Sequence, residues 1–245
     1  MKTISIVMAT YNGGKYIKEQ LDSIIPYMES DDELLISDDG SKDDTIDIVN
    51  SYAKNDKRIL IVPGPKKGVV KNFENVLFKA SKDIIMFSDQ DDVWMPEKLS
   101  RIRKIFEEHS DIELIHHDKY ICSNEQIKKG ENGTAGLLLY KKWRHGVLNN
   151  LLYSCYFGCC MAMKREFIKS IIPFPDNTIA YDQLVGLVAE HNGTSYFLEE
   201  PLIKRRVHGD NMSQHLPYIK RIMFRFKVWR SYKEVMNNMK HREYK

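Results

Sequence analysis

Through the first 110 residues, short apolar runs rich in β-branched residues alternate with amphipathic stretches of helical period, and no other feature limits the fold as tightly. "TISIVMA", "ELLISD", "RILIVP" and "DIIMFS" have the length and composition of buried strands. Between and after them lie helical patterns: "GGKYIKEQLDSII", with Tyr16, Leu21, Ile24 and Ile25 inward; "SKDDTIDIVNSYAK", with Ser41 expected as its cap; "VVKNFENVLFKAS"; and "PEKLSRIRKIFEEH", with Pro96 expected in its first turn. Such alternation predicts a doubly wound, mostly parallel sheet, whose ligands bind outside the carboxyl ends of the strands.

That rule gathers three polar clusters at one place. Thr10 to Asn12 follow the first strand, Asp38 and Asp39 the second, and "DQDD" (Asp89 to Asp92) the fourth. Three carboxylates within four positions, behind an apolar strand, repel one another and are partly desolvated, so a positive partner is expected. A hard divalent cation, Mn²⁺ or Mg²⁺, is the simplest candidate, because it takes one or two carboxylates and leaves positions for water and phosphate oxygens. A calcium loop of the EF-hand type fits worse: counted from Asp89, Val93 and Trp94 stand where an oxygen ligand and Gly are required.

Beyond Asp111 the pattern loosens. "DIELIHHDKYI" reads as a strand, "SNEQIKKGENGTAG" as a polar loop, and "NNLLYSCYFGCCMAMKREFIKS" as an apolar stretch around Gly158. "NTIAYDQLVGLVAEHNG" has Leu184, Val185, Leu187 and Val188 on one helical face and ends at Asn192 and Gly193. A strand and a basic loop, "TSYFLEEPLIKRRVHGDN", follow.

In order and content these motifs resemble family 2 glycosyltransferases of GT-A fold, over roughly Ile4 to Ser213. "NFENVL", "FSDQDDVWMPEKL", the pair Tyr181–Asp182 and "EPLIKRRVHGDN" are similar to the rhamnosyltransferase-like subgroup. The resemblance implies that Thr10 and Tyr11 hold the nucleotide of a sugar donor, that Asp39 contacts its pyrimidine, and that Asp89 lies near the ribose and the metal. It implies further that Asp91 ligates the metal and that Asp182 is the catalytic base. Tyr181 departs from the family, where an acidic residue or His is usual, and this weakens any inference about acceptor contacts. His208 either joins the metal or diphosphate, with Arg205 and Arg206 as phosphate forks, or is an ordinary loop residue. Trp94 and Trp143 either stack on sugars or pack in the core.

The resemblance and the residues together predict an inverting, metal-dependent transfer of a sugar, rhamnose from dTDP-rhamnose in the leading reading, to a saccharide acceptor of a cell-surface polysaccharide. UDP-galactose, UDP-glucose or a UDP-N-acetylhexosamine is the alternative donor. A non-catalytic sugar-nucleotide binder is the alternative class, favoured only if Asp182 lies far from the donor pocket. A sugar-phosphate nucleotidyltransferase is disfavoured, since no Gly-rich "GxGxR" loop follows the first strand.

Expected domain organisation is 1–213 for the catalytic unit, with 1–110 as its nucleotide-sugar half and 111–213 as its acceptor half, then a helical tail over 214–245. A formal net charge of +3 gives no reason to expect nucleic acid as a partner. The tail, however, carries nine Lys/Arg against two Asp/Glu. It is read either as a helix packed on the catalytic unit or as an amphipathic helix on an anionic membrane, near a lipid-linked acceptor. Without a secretory signal or a run near the roughly 18 apolar residues of a span, the expected location is cytoplasmic, peripheral on the inner face of the cell membrane. Cys122, Cys155, Cys159 and Cys160 form no CxxC pair and are expected to be reduced.

Overall fold

A computed structural model describes residues 1–136, 144–153, 156–209 and 217–243. Trp143, Cys155, Asp210 and Asn211, singled out above, lie outside the described residues. Strands β1 (Ile4–Thr10), β2 (Glu33–Asp38), β3 (Ile59–Pro63) and β4 (Ile84–Ser88) are mutually parallel and ordered β3-β2-β1-β4. Helices α1 (Gly14–Ile24), α2 (Thr45–Ala53) and α3 (Val69–Leu77) connect them. The strand alternation works as expected: Ile4, Ile6 and Met8 of β1 enter the core on one face, and Val7 enters the core on the other.

Beyond β4 the sheet becomes mixed. The remaining elements are β5 (Val93–Trp94), α4 (Lys98–Glu108), β6 (Leu114–Cys122), α5 (Asn124–Lys128), β7 (Thr134–Ala135), α6 (Val147–Leu152), β8 (Met161–Lys164), α7 (Arg165–Ile171), α8 (Tyr181–Asn192), β9 (Ser195–Arg206) and α9 (Tyr218–Glu243). β8 inserts antiparallel between β4 and β6, β9 lies parallel to β6, and β5 closes the edge antiparallel to β9. One continuous sheet therefore crosses from the first half of the chain into the second. β9 returns the "RRVHG" segment to the mouth of β4, which places His208 near "DQDD".

Several local expectations are corrected. Ser41 caps no helix: its N–H and hydroxyl both bond Asp38, at 2.8 and 2.5 Å, so a turn occupies residues 38–41 and α2 starts only at Thr45. Pro96 precedes α4 rather than opening it, because Met95 N–H is held by Leu202 O at 3.0 Å in the β5–β9 pairing and Lys98 is the first helical residue. The supposed loop after Cys122 contains α5, started by a capping box in which Ser123 and Gln126 satisfy each other's backbone N–H. Gly193 ends α8 in the left-handed conformation, φ 71°, as expected of a helix-terminal glycine.

The two halves of helix α9 differ in burial. Val228, Tyr232 and Val235 are buried in the same core as Leu184, Leu187 and Val188 of α8, and Tyr232 O–H bonds His191 Nδ1 at 2.8 Å. Ser231 O–H donates to Asn177 Oδ1 at 2.6 Å. Ile219, Ile222, Met223 and Phe226, one to three turns earlier, are exposed. No helix among the described residues is long and apolar enough to cross a membrane.

Candidate active site

The carboxyl ends of β1, β2 and β4 are knitted together by backbone and amide hydrogen bonds. Asp39 N–H donates to Thr10 O at 2.9 Å, and Asn72, from "NFENVL", donates its amide to both Thr10 O and Ser37 O, at 3.2 and 2.9 Å. Gln90 clamps the backbone of Tyr11 from both sides, accepting from its N–H at 3.0 Å and donating to its O at 3.1 Å. Gly13 is required by that clamp, since a Cβ there would lie 2.3 Å from Gln90 Oε1. The loops after β1 and β4 are thus one unit.

Thr10 is buried and its hydroxyl donates to Asp38 Oδ2 at 3.0 Å, so its side chain shapes the strand end rather than facing a ligand. Tyr11 is 55 % exposed and presents its ring outward. Asp39 is half-buried and holds the loop before α3, accepting from Lys66 N–H at 2.6 Å and Gly68 N–H at 2.8 Å, one bond on each oxygen. A carboxylate oxygen so used retains a lone pair for another donor.

After β4 the charges are crowded. Burial, then the charges of Asp91 and Asp182, raise the Asp89 carboxyl to about 7 against the opposing pull of Arg205. Burial together with Asp91 and Asp89 raises Asp92 to about 7 as well, although Arg206 N–H donates to its Oδ1 at 3.0 Å. Asp91 meets the other metal candidate directly: His208 Nε2 lies 2.7 Å from Asp91 Oδ2, and the imidazole stacks on Tyr16 at 4.8 Å. Arg206 is not the phosphate fork expected. It is buried, with its guanidinium spent on Asp91 O, Asn124 and Glu19 and laid over the Tyr16 ring, so it fixes the loop on β9 to the loop after β4.

Asp182 stands in the first turn of α8, and its Oδ1 accepts from Gln183 N–H at 2.8 Å. A helix N-terminus favours the ionised form, but burial outweighs it here and pushes the carboxyl up to about 6, against the N–H groups of Gln183 and Gly158. Its charge is among those raising Asp89, so the two carboxylates lie close enough to interact. Tyr181 points the other way, into the core, with ring centroids 4.6 Å from Phe73 and 5.0 Å from Phe87. The departure at Tyr181 is therefore a packing residue. Gly158 answers it, since a Cβ there would meet the Tyr181 hydroxyl at 2.3 Å.

Do these residues fit a divalent cation? Asp89, Asp92 and Cys159 offer donor atoms all within 4.8 Å of one another. Asp92 Oδ2 is buried without a hydrogen-bond partner among the described residues. A hydrogen bond shared with Cys160, and burial, push the Cys159 thiol well up, which leaves the carboxylates as the donors suited to a hard ion. The set fits a hard divalent cation; Asp91 and His208 are not in it and bond each other instead.

Sequence reasoning missed Gln90, Cys159 and Lys98. Lys98 is fully buried behind the acidic cluster, donates to Cys159 O at 2.8 Å, and lies 3.7 Å from the Trp94 ring centroid. Burial pulls it down to about 8, against the nearby Cys160, Cys159, Asp92 and Asp89. Trp94 is accordingly a core residue and not a sugar platform. A buried Lys can be guessed from "PEKL" only once α4 is seen to run beneath the β4 loop.

The chain matches glycosyl transferase family 2 over residues 5–172. It is 26 % identical, over 212 residues, to an uncharacterized glycosyltransferase of Nostoc sp., a match covering 85 % of this chain and 66 % of that protein. Over 98 residues it is 41 % identical to the dTDP-rhamnosyl transferase RfbG of Shigella flexneri, covering 38 % of this chain and 34 % of RfbG. The chain thus spans just under two thirds of the first of these relatives and about one third of the second. Among solved structures, S. aureus TarS 1–349 in complex with UDP-GlcNAc is similar with a TM-score of 0.70 at 19 % identity, over 98 % of this chain and 70 % of that one. Glucosyl-3-phosphoglycerate synthase from Mycobacterium tuberculosis, in complex with Mn²⁺, UDP and glucosyl-3-phosphoglycerate, is similar with a TM-score of 0.62 at 17 % identity, over 96 % and 80 % of the two chains. Both likenesses are of fold, and the fold is GT-A.

Proposed function

The chain belongs to glycosyl transferase family 2, and from that premise we propose that it transfers a sugar from a nucleoside diphosphate donor to a saccharide hydroxyl, with inversion at the anomeric carbon. The observation that carries this reading is the electrostatic coupling of Asp182 and Asp89, one a half-buried base with its carboxyl raised to about 6, the other part of an acidic cluster fitted to a cation. Asp182 takes the proton of the acceptor hydroxyl. The acceptor oxygen then bonds to the anomeric carbon as the bond from that carbon to the diphosphate oxygen breaks, and the diphosphate leaves with the electron pair. A base opposite the leaving group implies one in-line displacement. Asp89, Asp91 and Asp92, with His208 beside them, would hold Mn²⁺ or Mg²⁺, which when bound would supply charge stabilisation to the departing diphosphate.

On the donor side, the exposed Tyr11 ring and the Asp39 carboxylate contact the nucleotide, and Thr10 sets their position. The donor of this proposal is dTDP-rhamnose, supported by the subgroup motifs and by the likeness to RfbG. A UDP-sugar is the alternative, since Asp39 accepts a hydrogen from uracil and thymine alike. Residues 1–110 form the donor half, 111–213 the acceptor half, and the tail from 214 works at the inner face of the cell membrane, where a lipid-linked acceptor belonging to polysaccharide synthesis is carried.

A thermal-shift panel of nucleotide sugars with Mn²⁺, followed by product analysis with the best binder, tests the proposal. A donor at a hundred times its Kd stabilises the fold by about 2.7 kcal/mol. Stabilisation by dTDP-rhamnose above UDP-sugars supports the leading donor, and the reverse order replaces it. Should no nucleotide sugar bind, the transfer reading is wrong; binding without transfer or hydrolysis moves the protein to the non-catalytic class.

A further inference from the structure

The two halves of α9 have opposite surroundings. Its second half is docked on α8, yet Ile219, Ile222, Met223 and Phe226 in its first half are 50–72 % exposed. Four large apolar side chains within eight residues of one helix are not the scattered hydrophobes of an ordinary surface. Lys220, Arg221, Arg225, Lys227 and Arg230 are interspersed with them, and no acidic residue occurs between Tyr218 and Lys233. Helix α6, which packs against α9, adds exposed Leu148, Leu152 and, just past its end, Tyr153.

Beside this surface a groove of about 380 Å³ opens between α9 and the segment leading into α8, lined by Asp176, Asn177, Ile179, Phe226, Lys227 and Arg230. Its apolar wall is Ile179 and Phe226, and its cationic end is Lys227 and Arg230. Asp176, its one acidic residue, is paired with Lys71 at 3.3 Å. Ile179 lies three residues before Asp182, so the groove borders the segment that positions the proposed base.

We infer that the first half of α9, with this groove, docks on an anionic phospholipid surface, the apolar side chains entering the headgroup boundary and Lys227 and Arg230 taking a lipid phosphate. Charge decides the occupant. The cores of protein interfaces are depleted in Lys, whereas interfacial helices border an apolar face with Lys and Arg. The inference deepens the proposed function, on which it rests for the choice of a membrane-borne acceptor, by assigning the membrane contact to a defined surface next to Asp182.

Vesicles test this with the full chain. Sedimentation with phosphatidylcholine vesicles containing phosphatidylglycerol should capture the protein, pure phosphatidylcholine should capture far less, and rising salt should weaken the first. Lys227→Gln with Arg230→Gln should lower partitioning about 25-fold, since each basic residue near such a surface contributes about fivefold. Ile222→Ser with Phe226→Ser should lower it at least tenfold. Both pairs are exposed and should leave the melting temperature and donor-induced stabilisation unchanged, which separates failure of docking from failure of the transferase reading. Equal capture by neutral vesicles, unchanged binding by either double variant, or concentration-dependent dimerisation abolished by Phe226→Ser in place of lipid binding would each overturn the inference.

Discussion

Two acidic turns stand at the same edge of the sheet, Asp38–Asp39 after β2 and Asp89–Asp92 after β4, and they behave in opposite ways. In the first, Asp38 accepts from Gly40 N–H, Ser41 N–H, the Ser41 hydroxyl and the Thr10 hydroxyl at 2.5–3.0 Å, and Asp39 accepts from two further N–H groups. Its charges are met by backbone N–H groups and two hydroxyls. In the second, Asp89 and Asp92 are both raised to about 7, and Asp92 has a buried oxygen without a partner among the described residues. Here burial and mutual repulsion are left for a ligand to relieve. A carboxylate held by several fixed donors, as Asp38 is, positions the loops and, as at Asp39, keeps a lone pair for a ligand; a crowded and underpaired one is left for a cation.

The comparison breaks most visibly in activity. Asp91→Asn should lower transfer about a thousandfold or more, given the several kcal/mol a metal contributes to a developing negative charge, while circular dichroism stays native. Wild-type turnover in that variant, or full native activity in EDTA, would remove the cation from the second turn. Asp182→Asn should cost two to four orders of magnitude in kcat, the usual scale of a general base, with donor affinity measured by calorimetry nearly unchanged. Lost donor binding with intact turnover would reassign Asp182 to recognition.

Stability sharpens the contrast. Asp38→Ala strands four buried or part-buried donors and should cost about 2–4 kcal/mol, lowering the melting temperature by about 10 °C in a chain of this size. Asp92→Asn removes a charge that its neighbours repel, so without added cation its melting temperature should equal or exceed that of the wild type. Mn²⁺ should raise the wild-type melting temperature and raise that of Asp92→Asn less. If the two substitutions destabilise alike, the turns do not differ in kind.

The smallest effect is the pH limb. Asp182 must be ionised to accept a proton, and its carboxyl is raised, to about 6. With saturating Mn²⁺, which would hold Asp89 and Asp92 ionised, activity should be full above that value and fall about tenfold per unit below it. A limb near 4, where an ordinary carboxylate titrates, would mean that burial does not govern the base.

Much of the site was legible because strand ends are legible. Once "TISIVMA", "ELLISD" and "DIIMFS" are read as parallel strands, Thr10, Asp39 and Asp89 must share an edge, whatever the loops do. Asp182 was legible through the helix that it starts and the motif around it. What failed were roles that depend on what packs from elsewhere. Ser41 was read as a cap because Ser before an apolar run is a common start signal, yet Asp38, three residues earlier, claims it. Arg206 was read as a phosphate ligand from its charge, but β9 buries it against Glu19, Asn124 and the Asp91 carbonyl. The capping box at Ser123 is a local signal, masked in the sequence by the Gly- and Asn-rich residues that follow it.

By itself, then, the sequence determined the parallel half of the sheet, its ligand-binding edge and the residue types gathered there, because apolar periodicity and strand-end placement are local properties of the chain. Tertiary structure alone decided which carboxylates are filled and which are left underpaired. It also set the partner of His208, the turn of Tyr181 into the core and the exposure of half of α9. Each of those depends on desolvation and on donors arriving from residues distant in sequence, and no local pattern encodes either.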